Sequence, residues 1–366
     1  MDLDKIPITN RKDEHILLAS QEKVESNETT WLEHVTFVHN TLPELNLDDI
    51  SLSGEFLGRS ISSPLFVGAM TGGTELTKNI NVSLAKAAQK YKIPMMVGSQ
   101  RVILRHPETK SSFSAVRESA PDVPIIGNIG IAQIATSENF DYVQEIIDNI
   151  DADAVAIHLN VIQEVIQPEG DKIFSGAFQN IEKLKNQIDV PILIKETGCG
   201  ISKEIAQQLF DIGIDIIDVS GIGGTSWVAV EYYRAKKYGE EAKRDLGKIF
   251  WDWGIPTAAS ILEVSSARNR SNIQIIGSGG IRSGIDVAKA LRLGADFTAM
   301  ARPLLMVALK GQTSIEKFIE QTLRELKITM LLTGSKNIEE LKKAPVVIGS
   351  SLKEWIEERK IEFKHM

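Results

Sequence analysis

Eight short apolar runs, each followed by a stretch of helical character, constrain this chain more than any other feature of its sequence. The runs cover residues 65–69, 94–98, 123–128, 154–160, 191–196, 215–220, 273–277 and 297–301. Each is rich in Val, Ile, Ala or Met, and near-continuous apolar runs of this length suit strands buried on both faces of a parallel sheet. Residues 79–91, 140–150, 176–187, 202–211, 257–267 and 285–293 between them read as helices. Ser283 with Asp286 has the form of a capping box, and Pro256 ahead of Thr257 suits a helix start. Eight strands alternating with helices in 366 residues predict an α/β protein, a closed TIM (β/α)₈ barrel, with an open doubly wound sheet as the second arrangement.

Two segments stand outside this rhythm. Residues 1–60 form an N-terminal arm and extension, with a helix expected over 13–25 and an apolar stretch over 35–47; residues 61–366 are expected to be the barrel, the whole making a single domain. Residues 227–255 make a long connection after the sixth strand, of the kind that serves as a lid or subunit contact. Its aromatic residues Trp227, Tyr232, Tyr233, Phe250, Trp251 and Trp253 suit an interface or a core equally.

Composition narrows the function classes. A net charge of −8 and a pI near 5.5 argue against a broad nucleic-acid surface, so any phosphate chemistry needs a local basic cluster. A single cysteine, Cys199, excludes an intramolecular disulfide and fits a reducing cytoplasm. The N-terminal sequence lacks an apolar signal core, and no apolar run approaches the roughly 20 residues of a membrane span. A cytoplasmic protein that engages no membrane is expected.

In a barrel the chemistry sits where strands end, because the loops there share one rim. Polar residues and glycines crowd those ends: Met70-Thr71-Gly72-Gly73, Gly98-Ser99-Gln100-Arg101, Asn128, His158-Leu159-Asn160, Lys195-Glu196, Ser220-Gly221, Gly277-Ser278-Gly279-Gly280 and Ala301-Arg302. The last two follow strands seven and eight, the usual phosphate cradle of this fold. Glycines there let backbone N–H groups approach phosphate oxygens, and a following helix adds its positive end. On the fourth strand His158 and Asn160 share a face above Ala154 and Ala156, either as ligand contacts or as structural groups. The loop beyond carries Gln163, Glu164, Gln167, Glu169 and Asp171; its carboxylates, with diphosphate oxygens, are expected Mg²⁺ ligands. Lys195, opposite in face to Ile194 and Glu196, suits an anionic ring, a Schiff base or a structural ion pair. Arg11, Lys12 and His15 gain meaning only if the N-terminal arm folds over the rim.

Taken together these stretches resemble the type 2 isopentenyl-diphosphate isomerases. The similar segments are Arg11-Lys12-x-x-His15, Ala69 to Gly73, Gly98 to Arg101, His158-Leu159-Asn160-x-x-Gln163-Glu164-x-x-Gln167-Pro168-Glu169-Gly170-Asp171, Lys195-Glu196, Gly223-Gly224-Thr225, Pro256 to Ser260 and Gly277 to Gly280. They run from about residue 10 to residue 350; the Gln163 to Asp171 and Met70 to Gly73 segments are the specific ones, whereas many FMN barrels share the glycine loop.

The resemblance implies interconversion of isopentenyl and dimethylallyl diphosphate in isoprenoid biosynthesis, with reduced FMN, Mg²⁺ and NADPH as reductant. It implies FMN contacts at Ala69, Met70, Thr71, Ser99, Asn128, Lys195, Ser220, Thr225, Gly279, Gly280, Ala301 and Arg302. The diphosphate substrate would meet Arg11, Lys12, Ser99, Gln100, Arg101, His158, Asn160 and Gln163; Glu164 would hold Mg²⁺; Gln163, Glu231 and His158 would be catalytic. A homo-oligomer, tetramer or octamer, is also implied. Moving a double bond by one carbon needs a proton at C4 and the loss of one from C2, with no net redox change, so the flavin is expected to act as acid and base while the nicotinamide only primes it. NADPH rests on the resemblance alone, since no Gly-x-Gly-x-x-Gly fingerprint occurs.

Two competing functions make different demands. An FMN-dependent 2-hydroxy-acid oxidase-like enzyme needs a His base and an Arg late in the barrel, where the chain offers only Arg268 and Arg270 ahead of the seventh strand. A flavin-binding protein without catalysis has no use for so dense a polar rim.

Overall fold

A computed structural model describes residues 8–167 and 169–363. Pro168 of the fourth-strand loop therefore lies outside the described residues. Eight parallel strands close into a barrel: β1 (Leu65–Val67), β2 (Met95–Met96), β3 (Ile125–Gly130), β4 (Ala154–Leu159), β5 (Ile192–Glu196), β6 (Ile216–Asp218), β7 (Gln274–Gly277) and β8 (Phe297–Met300). Each pairs with its sequence neighbour, and β8 returns to β1 through Thr298–Leu65 and Ala299–Phe66. All eight expected strands are present, and closure excludes the open sheet.

The two-residue period of a strand sorts the side chains. Phe66, Met96, Ile126, Ala154, Ala156, Leu193, Ile216, Ile276, Phe297 and Ala299 form the cluster inside the barrel, while Ile125, Val155, Ile157, Ile192, Ile194 and Ile217 join the layer between barrel and helices. Helices Glu75–Tyr91, Asp141–Ile150, Ala177–Lys185, Lys203–Asp211, Thr257–Ser266 and Gly284–Arg292 build the outer ring, and Ser283 and Asp286 make the expected reciprocal cap.

The N-terminal extension does three things that its composition did not announce. A hairpin, Gly54–Phe56 with Arg59–Ile61, plugs the barrel floor: Phe56 stacks edge-on against Phe66 at 4.8 Å and Phe297 at 5.2 Å. The strand Val35–Phe37 pairs with Val346–Ile348, tying the extension to the chain's end. The first helix spans Ile8–Gln21, earlier than 13–25, and lies against the helix Trp227–Tyr238. That helix and Glu241–Ile249 make up the long connection; Trp227, Tyr233 and Trp251 pack around Val24, Ala229 and Val230, while Trp253 stays exposed.

Candidate active site

Because each strand's side chains alternate, the residue two positions beyond the last apolar interior residue points into the open end of the barrel. Gly68, Gly98, Asn128, His158, Lys195, Asp218 and Ser278 occupy those positions and all line one large cavity. Register sets His158, Lys195 and Asp218 side by side on three neighbouring strands. The cavity measures about 200 Å³ and is open at its mouth.

One wall is a glycine cradle. Gly279 and Gly280 have φ of 94° and 72°, and a Cβ on either would stand 2.1 Å from Gly221 O or 2.3 Å from Gly223 O. Only glycine fits there, and two loops thereby bring their backbones together beside Ala301, Arg302, Ser220 and Thr225, all of which line the cavity. The guanidinium of Arg302 bonds Ala19 O and Glu25 Oε1, each at 2.8 Å; Arg282 shares that carboxylate at 2.8 Å.

Another part of the wall is cationic. The first helix does fold over the rim, carrying Arg11, Lys12 and His15 to the cavity beside Arg101. Arg11 lies 3.4 Å from Glu169 Oε1, Arg101 lies 3.2 Å from Asp171 Oδ2, and Lys12 Nζ donates to Ser99 O at 3.1 Å. Burial, with Arg11 and Arg101 close by, lowers the Lys12 pKa to about 7.

His158 behaves as a neutral ring. Burial first, then the charges of Lys195, Lys12 and Arg101, lower its pKa to about 3. Asn128 Nδ2 donates to Val97 O at 3.0 Å, so its Oδ1 is the atom facing His158 Nδ1 at 2.7 Å. That oxygen can only accept, which places the proton on Nδ1 and leaves Nε2 bare. A phosphate oxygen reaching Nε2 must bring a proton with it.

The cavity also carries an amide–carboxylate relay. Asn160, Gln163 and Glu164 project from the start of the short helix Val161–Ile166. Asn160 Nδ2 donates to Gln163 Oε1 at 3.3 Å and Glu164 Oε1 at 3.1 Å; Gln163 Nε2 donates to Glu231 Oε1 at 3.1 Å. Glu231 is fully buried behind Gln163. Burial opposes its ionisation, but His15, Arg234 and Gln163 outweigh burial and hold its pKa at about 2. Thr71 Oγ1 and Asn160 Oδ1 are buried in the cavity wall with no hydrogen-bond partner. Buried polar atoms are seldom left so unless a ligand completes them.

The structure gathers the sequence-expected site residues at the cavity, except Gln100, Glu231 and the loop carboxylates Glu169 and Asp171. Gln100 is fully buried with its amide spent elsewhere: Nε2 donates to Ile146 O at 3.1 Å and Oε1 accepts from Asn128 N at 3.0 Å. It braces Asn128 and cannot also reach a diphosphate. Glu231 sits one layer back and meets the cavity through Gln163. The loop carboxylates also diverge: Glu164 faces the cavity, Glu169 goes to Arg11 and Arg234, and Asp171 to Arg101 and Gln133. Among the described residues no three His, Cys, Asp or Glu side chains form a metal cluster. Sequence reading missed Asp218, whose signal was an acid two residues past Ile216 in an apolar run. Burial raises its pKa against the pull of Lys195 and of a Ser278 hydroxyl bond. Thr197, Gln133 and Trp227 also line the cavity without having been expected there.

This architecture defines a flavin barrel. A family profile described as FMN-dependent dehydrogenase matches residues 18–111 and 163–348, and the chain belongs to that family. Solved structures share the fold at low identity. A putative lactate oxidase of Pediococcus acidilactici has TM-score 0.67 and 17% identity over 94% of both chains; a mandelate oxidase has 0.63 and 17% over 95% of this chain and 99% of its own. Within the family, relatives of high identity are isopentenyl-diphosphate delta-isomerases. That of Pyrobaculum islandicum is 47% identical over 97% of this chain and 99% of its own. Those of Thermococcus kodakarensis (47%; 95% and 94%) and Methanothermobacter thermautotrophicus (44%; 98% of each) agree. This chain is a member of the isopentenyl-diphosphate delta-isomerase family.

The two arginines weighed for the oxidase alternative lie away from the cavity. Arg268 pairs with Asp296 and Arg270 with Asp215, residues that precede β8 and β6 at the floor of the barrel, away from the cavity. No helix among the described residues is long and apolar enough to cross a membrane.

Proposed function

We propose that this chain interconverts isopentenyl diphosphate and dimethylallyl diphosphate, with FMN in the glycine cradle and the substrate diphosphate on the cationic wall. The carrying observation is that one cavity is lined both by the glycine loop of Gly279 and Gly280 and by Arg11, Lys12 and Arg101, with Gln163 in its wall and Glu231 behind Gln163. The residues fit an FMN: Gly279 and Gly280 offer a backbone bed, Thr71 Oγ1 is buried and unpartnered, and Lys195 and Asp218 sit at the bottom of the bowl. When bound in reduced form, FMN supplies an electron-rich ring that exchanges a proton at N5. Mg²⁺ fits Glu164 as a single protein carboxylate, the habit of an ion that keeps waters and takes substrate phosphates as its other ligands.

The chain's own residues do the rest. Arg11, Lys12 and Arg101 clamp the diphosphate, so binding energy far from the reacting carbons orients the alkene. Gln163 presents its amide to that alkene. Glu231, ionised and out of reach of bulk water, accepts from Gln163, lies 3.1 Å from His15 Nε2, and so fixes the Gln163 amide beside the proton route. Met70, Ile16, Leu305 and Trp227 supply apolar lining and no nucleophile that would trap a tertiary cation. NADPH as the reductant, a cytoplasmic location and a tetramer or octamer complete the reading. Exposed Val161, Val165, Leu246, Ile249 and Trp253 lie on two mutually packed helices, Val161–Ile166 and Glu241–Ile249, or just beyond, and suit a subunit contact.

The test is anaerobic incubation of the FMN-loaded protein with isopentenyl diphosphate, Mg²⁺ and NADPH in deuterated water, with mass-resolved chromatography. Deuterium-bearing dimethylallyl diphosphate is expected. Flavin-loaded protein that leaves the substrate unlabelled and unconverted would overturn the proposal.

A further inference from the structure

The helix Trp227–Tyr238 carries a fully buried arginine that no step above uses. Arg234 is surrounded by three carboxylates from three separate segments: Nε donates to Glu14 Oε2 at 3.0 Å, Nη1 to Glu231 Oε2 at 2.7 Å, and Nη2 to Glu169 Oε1 at 2.9 Å. Glu14 lies on the helix that brings Arg11 and Lys12 to the cavity. Glu231 is the carboxylate behind Gln163, and Glu169 also meets Arg11.

We infer that Arg234 is a positioning residue which joins the seat of the diphosphate-binding helix to the orientation of Glu231; this rests on the function proposed above. The geometry divides the labour. Glu231 has two oxygens: Arg234 holds Oε2, so Oε1 alone is turned toward Gln163 and His15. A carboxylate pinned through one oxygen by a charge-assisted bond presents the other at a fixed height. Two further N–H groups of the guanidinium are engaged, Nε by Glu14 and Nη2 by Glu169. Its planar fork makes three such bonds in fixed directions, which a lysine ammonium cannot reproduce. Neither Arg234 nor Glu14 lines the cavity, so their influence must pass through Glu231 and through the helix.

The two partners separate kinetically. In Glu14→Gln the helix loses its charged anchor while Arg234 keeps Glu231 and Glu169. KM for isopentenyl diphosphate is expected to rise about tenfold with kcat nearly kept, the pattern of lost uniform binding. In Arg234→Lys, Glu231 drifts, and kcat is expected to fall on the order of 10²-fold, the size of a displacement near 1 Å at a reacting centre. Both variants should load FMN as the parent does. A merely structural arginine would lower the melting temperature of both and leave KM and kcat per flavin unchanged, and that result overturns the inference. If Arg234→Lys does not fold, Glu14→Gln decides alone: an unaltered KM overturns the idea. Calorimetric titration of the FMN-loaded protein with inorganic pyrophosphate and Mg²⁺ keeps this apart from the activity itself. About tenfold weaker binding by Glu14→Gln supports the link even if the parent converts no isopentenyl diphosphate; equal binding refutes it.

Discussion

Lys12 offers the most quantitative handle on the site. Its ammonium has a pKa lowered to about 7, chiefly by burial and then by Arg11 and Arg101, against an ordinary value of 10.5. The sign follows directly. In the free protein Lys12 loses its proton as pH rises through 7. An arriving diphosphate favours the charged form, so binding takes up a proton above that pH. If only the ammonium form binds, the apparent dissociation constant scales as 1 + 10^(pH − 7): about 1.1 at pH 6, about 11 at pH 8, about 100 at pH 9, or close to 1.4 kcal/mol per pH unit. Replacing Lys12 with arginine removes this titration, because guanidinium stays charged throughout. Pyrophosphate binding with saturating Mg²⁺, followed by calorimetry from pH 6 to 9, gives the two curves. The ligand's own ionisation is common to both proteins and cancels in their ratio. A parent whose affinity runs parallel to that of Lys12→Arg over this range would refute the reasoning, whatever the absolute affinities.

Three further outcomes test other parts of the structure. Gly279→Ala places a Cβ 2.1 Å from Gly221 O at a φ of 94°, so the variant should purify without flavin colour and carry roughly 1–3 kcal/mol of backbone strain; full FMN absorbance after loading would contradict the cradle. Phe66→Ala opens the barrel floor beneath Phe56 and Phe297 and should cost about 3–5 kcal/mol by urea denaturation, whereas a loss under 1 kcal/mol would show that the plug is not packed as described. Glu164→Gln should weaken the apparent Mg²⁺ affinity in turnover assays by ~10-fold or more, the scale of losing even an outer-shell partner; an unchanged Mg²⁺ curve would remove Glu164 from the metal's ligands.

What the amino-acid order determined by itself is the barrel and the identity of its rim. Apolar runs buried on both faces leave parallel pairing as the outcome, and a strand's period of two carries polar side chains from any run's end into a common bowl. That is why His158, Lys195 and Asn128 were legible, and why Asp218 would have been under the same rule. Glycine loops announce themselves too, since φ values near 94° and 72° tolerate little else. Tertiary structure decided everything that depends on which distant segments meet. Arg11 and Lys12 are an ordinary basic pair until the first helix lies across the rim. Gln100 sits in a site motif, yet turns inward because Ile146 O and Asn128 N need partners. Glu14 and Arg234, 220 positions apart, share a bond that no local pattern foretells. Periodicity encodes which way a side chain faces relative to its own backbone; only the closed chain sets what stands opposite it, and buried charge acquires its pKa and its role from that opposite partner.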